Sequence, residues 1–393
     1  MIHRFNGKAI PELIVSGPGS RLGIVAELDR RDALKIVIVC GQRLRSGTPF
    51  VGELEAALGS RVAAVIDRVE ANTPVASVHR VVEHVAPLHP DAILSLGGGA
   101  VHDMAKAIAL MVPSGGSIVD FVSRFEPPST FHAMDVDVDP LPVLTVPSTF
   151  SAADVVGGGA VTDTAQGEKL IFVHPKLTPA AVFLDAEVVA TTPAAILAAS
   201  GMNAIHHCLE ACYSKGAQPI TDALAIAALR GLLTNLPFYS PSASAPTLAV
   251  HQAALNAASM SGLTYANSWL GIGHSVCHSL GGRYGLSHGL ANAVMVIHSA
   301  RFNFDAARAR LAYVARSVAV TNSTDEHAAA RALLSAIESM ADKLEMPRSL
   351  SAIGLPPGQF GQIAQDVMRD PQTYWNPRAT DVGEVEAWLE SIG

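Results

Sequence analysis

Imidazoles crowd one stretch of this chain: His274, His278, His288 and His298 all fall in the segment that begins at Gly271. Imidazole is the commonest metal ligand and the one side chain that ordinarily titrates near neutral pH. His274 and His278 stand at i and i+4, so a helix presents both on one face. Gly281, Gly282 and Gly285 permit a sharp turn that returns His288 toward them. A second polar group lies upstream, where Asn203 and His207 repeat the i, i+4 spacing beside His206 and Glu210. Two helices that each offer polar groups from one face can enclose a metal or catalytic site in a helical domain. Taken alone, the cluster fits a metal centre and a metal-free acid–base site equally.

These residues need elements to hold them. Apolar runs at 35–40, 62–66, 91–96 and 143–146 read as buried strands, with helical patterns between them, one over 51–58 and another N-capped by Thr73 with Pro74 at its first position. Strands alternating with helices imply a parallel sheet covered on both faces. The Pro-, Asp- and Ser-rich stretch 121–139 reads as a loop. From about residue 184 the pattern changes to alanine- and leucine-rich helices at 194–213, 221–236, 249–266, 289–304, 306–318 and 325–344. The expectation is an α/β domain over 1–183 and an all-helical domain over 184–393.

The strand at 91–96 runs into Gly97-Gly98-Gly99 and then a helix carrying Asp103 and Lys106. Glycines let a backbone approach a pyrophosphate, and the helix start aims free N–H groups at the anion. A second turn, Pro147-Ser148-Thr149-Phe150-Ser151, comes after the strand at 143–146, and ligands of parallel sheets bind at the carboxyl ends of strands.

Bulk properties exclude several classes. The 393 residues are 49% hydrophobic and 16% charged, with net charge −8, and no basic tract stands out. That is a well-packed protein without a nucleic-acid footprint. No apolar run is long enough to span a membrane. The stretch Met1–Gly7 lacks the apolar core of a signal peptide, and Cys40, Cys208, Cys212 and Cys277 form no Cys-x-x-Cys pair, so reduced thiols and a cytoplasmic location are expected.

Together the motifs resemble those of the iron-containing (group III) alcohol dehydrogenases, most closely the maleylacetate reductase branch. The resemblance rests on Gly97-Gly-Gly-Ala-x-x-Asp103-x-Ala-Lys106, Pro147-Ser-Thr-Phe-Ser-Ala-Ala-Asp154, Ser200-Gly-Met-Asn203-Ala-x-x-His207-x-x-Glu210, Cys277-His278-Ser-Leu-Gly-Gly282 and Asn376-Pro377-Arg378. It implies a dehydroquinate-synthase-like fold, with an N-terminal dinucleotide domain, a C-terminal helical domain and chemistry in the cleft between them. Gly97, Gly98, Gly99 and Asp103 would serve the pyrophosphate loop, with Ser148, Thr149 and Lys169 along the cofactor. His207, His274 and His288 fall on the family's metal-binding histidines, and His278 on a further cleft histidine. The family's fourth ligand is aspartate, and here it is Asn203, which removes a negative charge and leaves occupancy by Fe²⁺ or Zn²⁺ open. The segment Ser287-His288-Gly289-Leu290-Ala291-Asn292 is similar to the alcohol dehydrogenase version and not to that of the reductases. Gly41 stands where many members have an aspartate, and Arg43 and Arg45 are near it, so both NAD(H) and NADP(H) are accommodated.

The resulting expectation is an NAD(P)H-dependent oxidoreductase that reduces maleylacetate to 3-oxoadipate. His278 would donate the proton, His207 and His274 would stabilise the developing negative charge with or without a metal, and Arg283, less so Arg378, would pair with substrate carboxylates. A metal-dependent alcohol or aldehyde oxidoreductase and a nucleotide-binding scaffold without turnover are the alternatives. A homodimer is expected from the resemblance.

Overall fold

The computed structural model describes residues 10–393; the amino-terminal stretch read for a signal peptide lies outside them. Among the described residues ten strands are present: β1 (Leu13–Ser16), β2 (Ile36–Cys40), β3 (Val62–Ile66), β4 (Ala92–Gly97), β5 (Arg124–Glu126), β6 (Thr130–His132), β7 (Val143–Pro147), β8 (Gly158–Asp163), β9 (Glu168–Val173) and β10 (Ala181–Leu184). Six form one sheet in the order β1-β10-β7-β4-β2-β3, with every pairing parallel. Strands β2, β4 and β7 are buried along their whole length, as their largely apolar sequences require when helices cover both faces. Their register sets Cys40 beside Leu96, and Gly97 beside Pro147. The turns after these strands therefore leave the sheet at one edge, next to each other.

The four strands read from the sequence are β2, β3, β4 and β7. Strands β1 and β10 were not anticipated, because four-residue apolar runs carry no resolvable periodicity. The stretch 121–139 is not all loop: β5 and β6 pair within it as an antiparallel hairpin. Strands β8 and β9 form a second hairpin that lies outside the main sheet, across the helix Gly99–Ser114. Thr73 is not the N-cap of the helix after it. Pro74 is, and Thr73 sits at φ 47° because its carbonyl is drawn to the Thr162 amide of β8, 3.0 Å away.

The second half is all helix, as the composition implied. The helices Ala194–Tyr213, Pro219–Asn235 and Leu248–Tyr265 bury Leu197, Ile205, Leu209, Leu229, Leu232 and Leu255 against one another. Phe150, Val155, Val182 and Leu184 of the α/β half belong to the same core, so the halves share buried surface. No helix among the described residues is long and apolar enough to cross a membrane.

Candidate active site

The glycine turn is built by steric exclusion and not by unusual backbone angles. None of Gly97, Gly98 and Gly99 has positive φ. A Cβ on Gly97 would lie 2.6 Å from Val101, and one on Gly98 would lie 3.3 Å from Thr149. The turn after β7 is locked to it by the Ser148 amide, which donates to the Gly97 carbonyl at 2.8 Å. The two turns thus face one crevice, and the helix Gly99–Ser114 points its first turn into it. Gly41 closes the same edge from β2, with its amide on the Leu96 carbonyl at 3.2 Å.

The side chains sort differently from the sequence reading. Ser148 is buried beneath the turn, and its carbonyl accepts from Thr192. Ser151 is the hydroxyl that reaches the cavity wall, and its Oγ is buried with no partner among the described residues. Asp103, half-buried, also lines the wall and packs on Gly159; burial pushes its carboxyl up, opposed by Lys106 and Lys169. Lys106, to which the sequence assigned no role, is fully buried. Its ammonium donates to the carbonyls of Ala153 (2.5 Å) and Gly158 (2.7 Å), and burial lowers it to about 8. It pins the chain between β7 and β8 to the helix that follows the glycine turn.

Three helices carry the imidazoles. Asn203, His206, His207 and Glu210 project from Ala194–Tyr213, His274 and His278 from Ile272–Tyr284, and His288 opens His288–Phe302. Of the glycines after His278 only Gly285 makes the turn, at φ +66°; Gly282 is helical, and glycine is required there because a Cβ would meet the Lys169 amide of β9 at 2.8 Å. Ring centroids separate His207 from His274 by 5.0 Å, His274 from His288 by 6.1 Å and His278 from His288 by 5.9 Å. The four rings line one cavity of about 360 Å³, together with Gly99, Asp103 and Lys169.

Glu210 organises the group. Its carboxylate accepts from the amides of Gly271 (2.9 Å), Gly273 (2.9 Å) and His274 (3.3 Å), which caps the helix Ile272–Tyr284. It also accepts from His274 Nδ1 at 2.6 Å. Burial alone would raise this carboxyl, but His206 and His274 outweigh it and hold it well below its usual range. Since Nδ1 of His274 carries the proton, Nε2 presents a lone pair, and that atom is buried without a partner. His206, Glu210 and His274 offer ligand atoms within 4.8 Å of one another, yet they do not make an ion site. Both His206 nitrogens are taken, by Asn292 at 2.7 Å and Ser299 at 2.9 Å, and the carboxylate is committed to N–H donors. This cluster holds a ring in place.

The other side presents open donors. Asn203 Oδ1 and His288 Nδ1, like His274 Nε2, are buried and unpartnered among the described residues. Burial holds the His207 and His288 imidazoles well below their usual pKa and lowers His274 to about 4, so the three rings are neutral at pH 7. Neutral imidazoles with an amide oxygen suit one borderline divalent cation, without the negative charge an aspartate would add. At His288, Nε2 lies 3.1 Å from Asn292 Nδ2, which also donates to the His288 carbonyl at 2.9 Å. The amide thus accounts for one imidazole nitrogen and leaves the other for an ion or a proton.

His278 Nδ1 lies 2.8 Å from Asp370 Oδ2, a partner the sequence reading missed. Asp370 also accepts from Ser275 Oγ and the Gln372 amide. Arg283, expected to meet a substrate carboxylate, is instead bidentate to Asp366 at 2.7 and 2.8 Å and lines no part of the cavity. Arg378 lies 4.1 Å over the Phe302 ring and pairs with Glu384. Arg45 pairs with Glu55, and Arg43 donates to Thr192 Oγ1 at 2.7 Å.

Two family descriptions match the chain: "iron-containing alcohol dehydrogenase" over residues 11–186 and "Fe-containing alcohol dehydrogenase family, C-terminal" over 197–393. The NAD-dependent methanol dehydrogenase of Bacillus methanolicus is 30% identical over 386 residues, which is 96% of this chain and 97% of that protein. A crystal structure of 1,3-propanediol oxidoreductase superposes with TM-score 0.89 at 25% identity, over 100% of both chains. The maleylacetate reductase of Agrobacterium tumefaciens superposes with TM-score 0.77, also at 25% identity, over 100% of this chain and 98% of that one.

Proposed function

The chain belongs to the iron-containing alcohol dehydrogenase family and is an oxidoreductase; from that premise we propose that it interconverts an alcohol and its aldehyde with NAD(H), using a divalent metal held by Asn203, His207, His274 and His288. The observation that carries this reading is the convergence of three unpartnered buried donor atoms and the neutral His207 imidazole on the cavity that also receives the glycine turn. NAD(H) is favoured over NADP(H) because the Arg45 guanidinium is already paired with Glu55; Arg43 makes one bond, to the neutral Thr192 Oγ1.

When bound, the nicotinamide would supply a hydride for the aldehyde carbon, and a metal held by Asn203, His207, His274 and His288 would supply Lewis-acid polarisation of the oxygen. The protein's own groups do the rest. Gly97, Gly98 and Gly99 admit the pyrophosphate against the helix start, with Ser151 and Thr149 beside it. Glu210 keeps the His274 proton on Nδ1, so that Nε2 faces the site. With its Nδ1–H held by Asp370, doubly protonated His278 delivers the proton on Nε2 to the forming alkoxide oxygen.

Maleylacetate reduction is a second reading, favoured by Asn203 in place of a carboxylate. Against it, no arginine lines the cavity among the described residues, and Lys169 is its one lysine, whereas the substrate has two carboxylates. The deciding experiment offers aldehydes and maleylacetate with NADH and NADPH, to chelator-treated protein and after Fe²⁺ or Zn²⁺ is restored. Aldehyde reduction that returns with metal supports the proposal. Metal-independent turnover of maleylacetate alone refutes it.

A further inference from the structure

The cavity continues past the imidazoles into a pocket of a different character. Tyr265, Trp269 and Leu270 line it together with Met134, Ile171 and Val173. Gln372, also on the wall, spends its carbonyl on the Leu270 amide at 3.0 Å. The segment after the helix Leu248–Tyr265 is held in an unusual shape. Trp269 sits at φ +60°, a left-handed conformation that costs a bulky residue about 1–2 kcal/mol. Such strain persists only where the surroundings over-determine it, and it concentrates at ligand sites. Here the surroundings are aromatic. The Trp375 ring stacks on Trp269 at 5.6 Å with planes 3° apart, and Phe131 of β6 meets it edge-on at 5.1 Å. Phe131 also stacks on Tyr374 at 5.5 Å. The β5–β6 hairpin of one half is thereby fastened to the other half around a single indole. A few residues after Phe131, Met134 lines the same cavity.

We propose that Trp269 is a specificity-determining residue and that the substrate is an aldehyde or alcohol with an uncharged apolar tail, alkyl or aromatic, lying against its indole. The proposal rests on the alcohol–aldehyde reading above. A carboxylate-tailed or very small substrate gains nothing from these walls. An apolar tail is taken out of water against them, and each added methylene raises binding in the transition state about fourfold. The clamped indole is pre-organised, so little ordering is required when the tail arrives.

The test measures kcat/KM for acetaldehyde, butanal, hexanal, benzaldehyde and succinic semialdehyde with NADH and restored metal. It uses the whole protein and the variants Trp269→Gly and Trp269→Phe. Glycine adopts φ +60° without a steric cost, so the variant relieves strain as it removes the wall; melting temperature and circular dichroism confirm folding. Expected are a rise of about fourfold per methylene up to hexanal, preference for butanal over succinic semialdehyde, and a hexanal-to-acetaldehyde ratio about tenfold lower in Trp269→Gly but largely kept in Trp269→Phe. A flat or falling chain-length series, or an unchanged ratio in folded Trp269→Gly, overturns the inference while the alcohol–aldehyde reading stands. No turnover of any aldehyde, with maleylacetate reduced, overturns both. If Trp269→Gly does not fold, Trp269→Asn, whose side chain tolerates the left-handed backbone and replaces the indole by a small polar amide, should lower the same ratio about tenfold, and an unchanged ratio overturns the inference.

Discussion

Replacing Glu210 by Gln removes one buried negative charge while keeping the shape of the side chain. The carboxylate accepts from three amides and from His274 Nδ1, all buried. A glutamine amide has one acceptor oxygen, so its NH₂ group must face N–H donors that then have nothing to bond. An unsatisfied buried donor costs about 1–3 kcal/mol, and removing one partner from a buried charged pair costs about 3–5 kcal/mol. We expect Glu210→Gln to lose about 3–5 kcal/mol of stability by urea denaturation. The second effect is more diagnostic. Without the carboxylate, His274 is no longer bound to keep its proton on Nδ1, so Nε2 stops presenting a dependable lone pair. Loss of such a support lowers metal affinity about 10–100-fold. Competition with a chromophoric chelator for Zn²⁺ reads this without any reference to turnover. A variant whose Zn²⁺ affinity matches that of the unaltered protein, with stability changed by less than about 1 kcal/mol, would refute the argument that Glu210 sets the tautomer.

Gly97→Ala should abolish NADH binding by fluorescence titration, because its Cβ would lie 2.6 Å from Val101; pairing it with Val101→Gly, which removes every Val101 atom in the clash, should restore part of the binding, and no loss in the single variant would defeat the steric account. His278→Ala should lower kcat about 10²–10⁴-fold with the dissociation constant for NADH nearly unchanged, and an unaltered kcat removes His278 as proton donor. Asn203→Asp adds a negative charge among neutral imidazoles and should tighten Zn²⁺ binding about tenfold or more by the same competition assay; equal or weaker binding would exclude Asn203 from the donor set. Acid should destabilise the metal-free protein in a defined window. His274 is depressed from 6.5 to about 4 by burial, with His206 adding to it, so its contribution is complete above 6.5 and lost as pH falls toward 4, roughly 3 kcal/mol in all. His207 and His288 shift the same way, and Glu210 loses its contribution only below 4.5. Stability that is flat from pH 7 to 4.5 would contradict neutral burial of these rings.

Much of this molecule is readable in the order of its residues, because the relevant signals are local. The buried strands β2, β4 and β7 announce themselves as short, mostly apolar runs without charged residues, and the glycine turn and its helix come directly after β4. The i, i+4 spacings of Asn203 with His207 and of His274 with His278 are consequences of helical periodicity alone. Even the helix Ala194–Tyr213 begins and ends where its pattern does. What stayed hidden depends on pairs far apart in the chain. Glu210 meets His274 across 64 residues and Asp370 meets His278 across 92, and nothing in a carboxylate's neighbours along the sequence tells which imidazole it will face. Arg283 looks free until Asp366, on a helix 83 residues later, claims both ends of its guanidinium. Ser148 and Ser151 are equivalent hydroxyls on paper; only the turn's path decides that one is buried and the other borders the cavity. Residue type and local period therefore determined which chemistry this chain could perform. Which nitrogen carries a proton, which cation is already paired and which wall meets the substrate were decided by packing, since those depend on contacts that exist only once the chain has closed on itself.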